Sequence, residues 1–131
     1  MTTKSILCDA DFLIALFITN EPNYELANTI FDKYDRFFVL NITFYEVATV
    51  LSRKLIQSEA IETLSRIRES FVDIIKLSDE DEEQSFKLYN SFTKKNISFF
   101  DCACLVTANN NNYKIASFDK FYPRELASSI N

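Results

Sequence analysis

The sequence predicts an α/β fold, a three-layer α/β/α sandwich around a central, mainly parallel sheet of four to five strands. Three observations predict it. Short apolar runs of strand length alternate with stretches whose apolar residues recur at helical spacing. The runs are apolar at consecutive positions, as in strands covered on both faces. No repeat, linker or composition break interrupts the 131 residues, so the chain reads as one domain, 1–131, able to bury roughly two-thirds of its unfolded surface.

Ser5 to Asp9 reads as the first strand, with a helix beginning at Phe12. Arg36 to Asn41 (RFFVLN) is the second strand. Phe44, Ala48, Leu51 and Leu55 then place one apolar face on a helix, and Ile61, Leu64, Ile67 and Phe71 do the same for the next. Asp73 to Leu77 (DIIKL) is the third strand, followed by a helix from Asp79 to Thr93 with Phe86, Tyr89 and Phe92 on one side. The run SDEDEE, Ser78 to Glu83, is a serine cap with a negative first turn that suits the helix dipole, and carries no chemistry. NISFFDCACLVTA opens another helix, which ends in the run Asn109 to Asn112, where Asn tolerates the left-handed conformation that Gly would otherwise supply. Lys114 to Phe118 (KIASF) is the last strand.

Composition removes whole classes of chemistry. There is no histidine, which excludes Ser-His-Asp and Cys-His arrangements, His metal ligands and His general bases. There is no glycine either, which excludes a phosphate-cradling P-loop, a dinucleotide fingerprint and a nucleophile elbow. Cys8, Cys102 and Cys104 are odd in number and lack a zinc-finger spacing; they read as core residues of a protein in a reducing compartment. The apolar stretch Ile6 to Ile18 is broken by Asp9 and Asp11 and falls short of the roughly 20 residues of a membrane span. No basic leader with a cleavage site is evident, and a cytoplasmic location is expected.

Carboxylates, hydroxyls, amides and a bound hard metal are what remains. In a parallel sheet, ligands bind beyond the carboxyl ends of the strands. Asp9 closes the first strand and Asp11 opens the segment after it; Glu46 lies in the first turn after RFFVLN; Asp101 lies in the first turn of the helix that leads to the last strand; Asp119 follows KIASF. These acids can therefore converge on one edge. Each also has a purely structural reading. Thr43 to Glu46 and Ser98 to Asp101 have the spacing of capping boxes, Asp11 can cap the helix beginning at Phe12, and Asp119 can hold a turn.

ILCDADFLIALF, ITFYEVATVL and ISFFDCACLVTANNNNYKIASFDKFY, in this order and spacing, resemble the signatures of PIN-domain ribonucleases, from Ile6 to Tyr122. The resemblance implies a PIN-like sandwich in which Asp9, Glu46, Asp101 and Asp119 are the catalytic, metal-site acids, with Ser117 in the place of the hydroxyl residue two before the last acid. The family usually carries Ser, Thr or Asn where this chain has Asp11, so Asp11 adds charge beside the site. The family often has glycine near the positions of Asn96 and Asn112. The resemblance further implies one or two Mg²⁺ or Mn²⁺ ions, since hard oxygen ligands suit hard cations and clustered carboxylates need neutralising. The implied activity is hydrolysis of RNA phosphodiester bonds to 5′-phosphate ends, Asp9 and Asp101 being the principal ligands.

The net charge of -5 argues against a nonspecific grip on duplex and favours structured or single-stranded RNA, tRNA included, met by local positives. Arg53 follows Glu46 by seven positions on nearly the same helix face, Lys54 adjoins it, and Lys94, Lys95, Lys120 and Arg124 are further candidates. Small single-domain members of this family include toxins of toxin–antitoxin pairs, which implies a homodimer and a cognate antitoxin; the 13 Phe and 6 Tyr supply apolar surface for such contacts or fill the core. Two other readings stand beside this one. One is a non-catalytic PIN-like binding or scaffold protein. The other is a haloacid-dehalogenase-like phosphatase, with Asp9 as nucleophile and Asp11 as general acid, which ILCDADF also resembles.

Overall fold

The structure is a computed structural model that describes residues 3–93, 96–119 and 121–122. Four strands, β1 (Ser5–Cys8), β2 (Arg36–Leu40), β3 (Val72–Ile75) and β4 (Lys114–Ala116), form one sheet in the order β3-β2-β1-β4, and every pairing is parallel. Helices α1 (Ala10–Phe17) and α2 (Tyr24–Phe31) join β1 to β2, α3 (Asn41–Lys54) and α4 (Gln57–Arg68) join β2 to β3, and α5 (Asp79–Ser91) and α6 (Phe99–Asn111) join β3 to β4.

Side-chain alternation divides the apolar strands between two cores. Ile6, Cys8, Phe37, Val39 and Val72 pack with Phe12, Leu13, Ile30, Val47, Leu51 and Ile67 of α1 to α4 on one face. Leu7, Phe38, Leu40 and Ile115 pack with Ala103, Cys104 and Ala108 of α6 on the other. Helix α5 lies against α6 rather than on the sheet: the rings of Phe86 and Phe99 meet at a tilt of 38° with centroids 4.4 Å apart, and Asn110 Nδ2 donates to Asp81 Oδ1. The three-layer sandwich is thus present, with four strands among the described residues. All three cysteines are buried and free, in keeping with the core reading.

The strands end one or two residues earlier than expected, and at β1 and β2 the chain turns directly into helix. At the β1 end the cap is Asp9, whose side chain accepts from Ala10 N–H, so α1 starts at Ala10 and Asp11 is not its cap. At the β2 end α3 starts at Asn41, with Leu40 as its cap residue, so Thr43 and Glu46 do not form a capping box. Asn41 instead accepts from Leu77 N–H, tying α3 to the segment after β3. Ser78 caps α5 as expected.

Three apolar faces differ from expectation, one of them on α5, which ends at Ser91 rather than Thr93, leaves Phe86 and Tyr89 exposed and has Phe92 beyond its end. In α4 the buried residues are Ala60, Thr63 and Ile67, whereas Ile61 is exposed, as is Phe71 beyond the helix end; in α3 the buried set is Thr43, Phe44, Val47 and Leu51. Helix α2, eight residues after Pro22, has no counterpart among the expected elements. With no glycine in the chain, both left-handed positions among the described residues are asparagines, Asn96 (φ 69°) and Asn112 (φ 59°), the latter ending α6. No helix among the described residues is long and apolar enough to cross a membrane.

Candidate active site

The carboxyl ends of β1, β2 and β4 open on a cleft of about 430 Å³, whose wall includes Asp9, Asp11, Glu46, Asp101 and Asp119. Asp9 reaches it because β1 is central: its backbone N–H donates to Ala116 O of β4 at 2.9 Å, which fixes the strand end against its neighbour. Asp9 is 6% exposed, and three donors reach its carboxylate. Oδ1 accepts from Ala10 N–H at 2.9 Å, while Oδ2 lies 3.0 Å from Ser117 Oγ and 3.2 Å from the Tyr122 hydroxyl.

Asp11, one residue into α1, turns towards β4. Its Oδ2 accepts from Phe118 N–H at 3.1 Å and lies 3.4 Å from Ser117 Oγ, while its Oδ1 is buried without a hydrogen-bond partner among the described residues. Ser117 Oγ in turn accepts from Asp119 N–H at 3.0 Å, so this one hydroxyl organises three acids. Asp119 is exposed and holds its own turn through Phe121 N–H, as its structural reading required. Glu46 projects from α3 with Oε1 buried and without a partner among the described residues. Asp101 is both cap and site residue: Ser98 and Asp101 form a complete capping box on α6, while Asp101 Oδ1 lies 3.3 Å from the Tyr122 hydroxyl.

Burial and mutual repulsion strain this group. Burial, then the charges of Asp11 and Asp101, push Asp9 up to about 7 despite its hydrogen bonds. Burial, then Asp101 and Asp11, push Glu46 up to about 7 as well. Asp11 and Asp101 are raised too, by burial first and by Asp119 after it. The basic side chain on the cleft wall is Lys54, whose Nζ is already 3.2 Å from Glu21 Oε1, another wall residue.

The donor set suits a hard divalent cation. It is all oxygen, and two of the three buried side-chain polar atoms without a partner among the described residues, Asp11 Oδ1 and Glu46 Oε1, belong to residues of this wall. As the side chains stand, however, no three acids or thiols among the described residues are gathered tightly enough to enclose an ion, so the arrangement is an open cradle rather than a closed cage.

All five acids expected at the sheet edge therefore share one cleft, with Ser117 behind them. Lys54 is on the wall, whereas Arg53 is exposed and not part of it. Lys120, Lys94, Lys95 and Arg124 lie outside the described residues. Tyr122 and Glu21 were not anticipated. The hydroxyl of Tyr122 gives no sequence signal at all, while Glu21 stands beside Pro22, a sign of the loop that brings it to the wall.

A doubly covered parallel sheet with a carboxylate-rich crevice at its central carboxyl ends defines a class of α/β folds suited to a hard cation. Within that class the PIN domain family model matches residues 6–124, and the chain belongs to the PIN-domain family. The fold is similar to that of VapC20 from Mycobacterium tuberculosis, a sarcin-ricin loop cleaving toxin, at 20% identity and a TM-score of 0.77, covering 88% of this chain and 91% of that one. It is also similar to a chain of a toxin–antitoxin complex from Klebsiella pneumoniae, at 19% identity and a TM-score of 0.68, covering 96% and 98%. PAE2754 from Pyrobaculum aerophilum matches at 18% identity with a TM-score of 0.60, over 89% and 76%. No curated protein matches the chain. Membership of the PIN family leaves the phosphatase reading of Asp9 and Asp11 without a matching fold.

Proposed function

We propose that this chain is a Mg²⁺- or Mn²⁺-dependent endoribonuclease, the toxin of a toxin–antitoxin pair, acting as a single cytoplasmic domain. The observation that carries the reading is the convergence of five carboxylates, from four separate parts of the chain, on one cleft that leaves two of their buried oxygens free. Asp9 and Asp101 are the principal ligands of one or two ions, and Glu46 and Asp119 complete the set. Held there, a divalent ion would neutralise the acids and would supply Lewis-acid activation of water and charge stabilisation at a phosphodiester.

The chain's own side chains do the rest. Ser117 fixes the direction of Asp9, and Asp11 fastens the turn that carries Asp119. Glu46 Oε1, unpartnered, is free to take a ligand water or its proton. Lys54, at the rim, and Arg53 beside it are the phosphate contacts, with Lys120 a further one. The substrate is structured or single-stranded RNA, tRNA among the candidates, because an acidic protein with few local positives has little hold on long duplex. Likeness to a toxin–antitoxin complex supports a cognate antitoxin as partner, and exposed Phe71 and Phe86 supply apolar surface for a homodimer.

The test is cleavage of a labelled pool of cellular RNAs by purified protein with Mg²⁺ or Mn²⁺, set against EDTA and Asp101→Asn. Metal-dependent cutting lost in both controls is the expected result. The openness of the cradle favours a second reading, a PIN-like binding protein without catalysis. Folded, inhibitor-free protein that binds RNA and cuts none of the pool establishes that second reading and refutes the first.

A further inference from the structure

Tyr122 is not part of the cleft wall, yet it touches the two central acids. Its ring belongs to the core on the α6 side of the sheet, with Leu7, Leu40, Cys104 and Ile115, and is 7% exposed. Its hydroxyl emerges between two elements, 3.2 Å from Asp9 Oδ2 at the end of β1 and 3.3 Å from Asp101 Oδ1 in the first turn of α6. A phenol carries one proton and is a good donor to either carboxylate.

The two acids are not held equally without it. Asp9 keeps Ala10 N–H at 2.9 Å and Ser117 Oγ at 3.0 Å. Among the described residues Asp101 is otherwise held only by Ser98, whose N–H reaches Oδ2 at 3.4 Å and whose hydroxyl also supports the carboxylate, and Tyr122 is the donor that meets its Oδ1. Like charges on the two groups push them apart. The hydroxyl opposes that from the core side, where it does not block the cleft.

We propose that Tyr122 is a positioning residue of the cation site: its hydroxyl ties Asp9 to Asp101 from behind, and so presents both carboxylates to the same ion. The proposal rests on the metal-site reading of these acids given above. Its consequence is that the hydroxyl governs how tightly the ion is held more than how fast the loaded site reacts. Phe at this position keeps the ring in the core and removes only the oxygen.

The experiment is isothermal titration of the metal-stripped full chain with Mn²⁺, comparing the unsubstituted protein, Tyr122→Phe and Ile115→Val, a neighbouring core change that touches neither acid. Tyr122→Phe is expected to weaken Mn²⁺ binding by about tenfold or more, the scale of lost support behind metal ligands. Cleavage should need correspondingly more Mn²⁺ for half its maximum while the saturated rate changes little. Ile115→Val should bind Mn²⁺ as the unsubstituted protein does. Equal affinity in Tyr122→Phe, or an equal loss in Ile115→Val, overturns the proposal. In the unsubstituted protein, a ¹³C label in the tyrosine rings should show the Tyr122 signal moving with Mg²⁺ at the midpoint of binding, and a signal indifferent to Mg²⁺ overturns it without any substitution. Unsubstituted protein that binds no Mn²⁺ overturns the metal-site reading itself, and this proposal with it.

Discussion

Asp9→Asn should make the metal-free protein more stable at alkaline pH while abolishing its response to metal. Asp9 is 6% exposed and is pushed up to about 7 from 3.8. Folded protein therefore holds this proton to higher pH than unfolded protein does, so its contribution to stability is lost progressively as pH rises from about 4 to about 7 and stays lost above that. Three pH units at about 1.4 kcal/mol each make about 4 kcal/mol, which dielectric relaxation at a cleft-facing position reduces to about 2 kcal/mol. Asn keeps the amide contact of the helix cap and never ionises. In EDTA at pH 8 the variant should melt about 7 °C higher than the unsubstituted chain, given an unfolding entropy of about 2.1 cal/mol/K per residue, and at pH 4 the two should coincide. Saturating Mn²⁺ should reverse the order, since ligand at a hundredfold excess over its Kd adds about 2.7 kcal/mol to the protein that binds it. Thermal unfolding followed by circular dichroism reads all three conditions. A variant no more stable than its parent in EDTA at pH 8 would refute the argument that these acids are held together against their charge.

The two duties of Asp101 can be separated through its capping partner. Ser98→Ala removes the hydroxyl that accepts from Asp101 N–H and should cost about 1 kcal/mol in denaturant unfolding, with metal-dependent cleavage retained; cleavage lost as completely as in Asp101→Asn would place the chemistry in the cap. The ion pair at the rim makes predictions of opposite sign. Lys54→Gln should weaken and Glu21→Gln should strengthen binding of a labelled single-stranded RNA in EDTA, each by about 1 kcal/mol or about fivefold in Kd, because Glu21 occupies the Lys54 ammonium in the free protein. Fluorescence anisotropy measures both, and changes of the same sign would refute a phosphate contact at Lys54.

The parts of this fold legible in the sequence are those set by long-range alternation of apolar runs. RFFVLN and KIASF read as buried strands because both faces are covered, and the acids at their ends followed from where parallel strands point. The Asn109 to Asn112 run ended its helix for the stated reason, with Asn112 left-handed. Junctions were less legible. Without glycine or proline between β2 and α3, nothing local marks Asn41 as the helix start, and a chance T-x-x-E spacing suggested a later one. Asp11 looked like a cap because caps are read from spacing, whereas the carboxylate that meets Ala10 N–H is Asp9 and Asp11 bends to Phe118. Tyr122 was invisible for a different reason: its partners are distant in sequence, and only the assembled sheet brings the hydroxyl between them.

Pairing of β4 with β1 has a consequence in time. Asp9 is made 108 residues before Ser117, which aims it, and Ser117 and Asp119 follow the last described strand. A chain still leaving the ribosome carries Asp9, Asp11, Glu46 and Asp101 but no finished cleft until β4 docks beside β1, and the strand joining that completes the cleft is among the most sequence-distant in the fold. Whatever this cleft does, the cell meets it only once synthesis of the domain is nearly over.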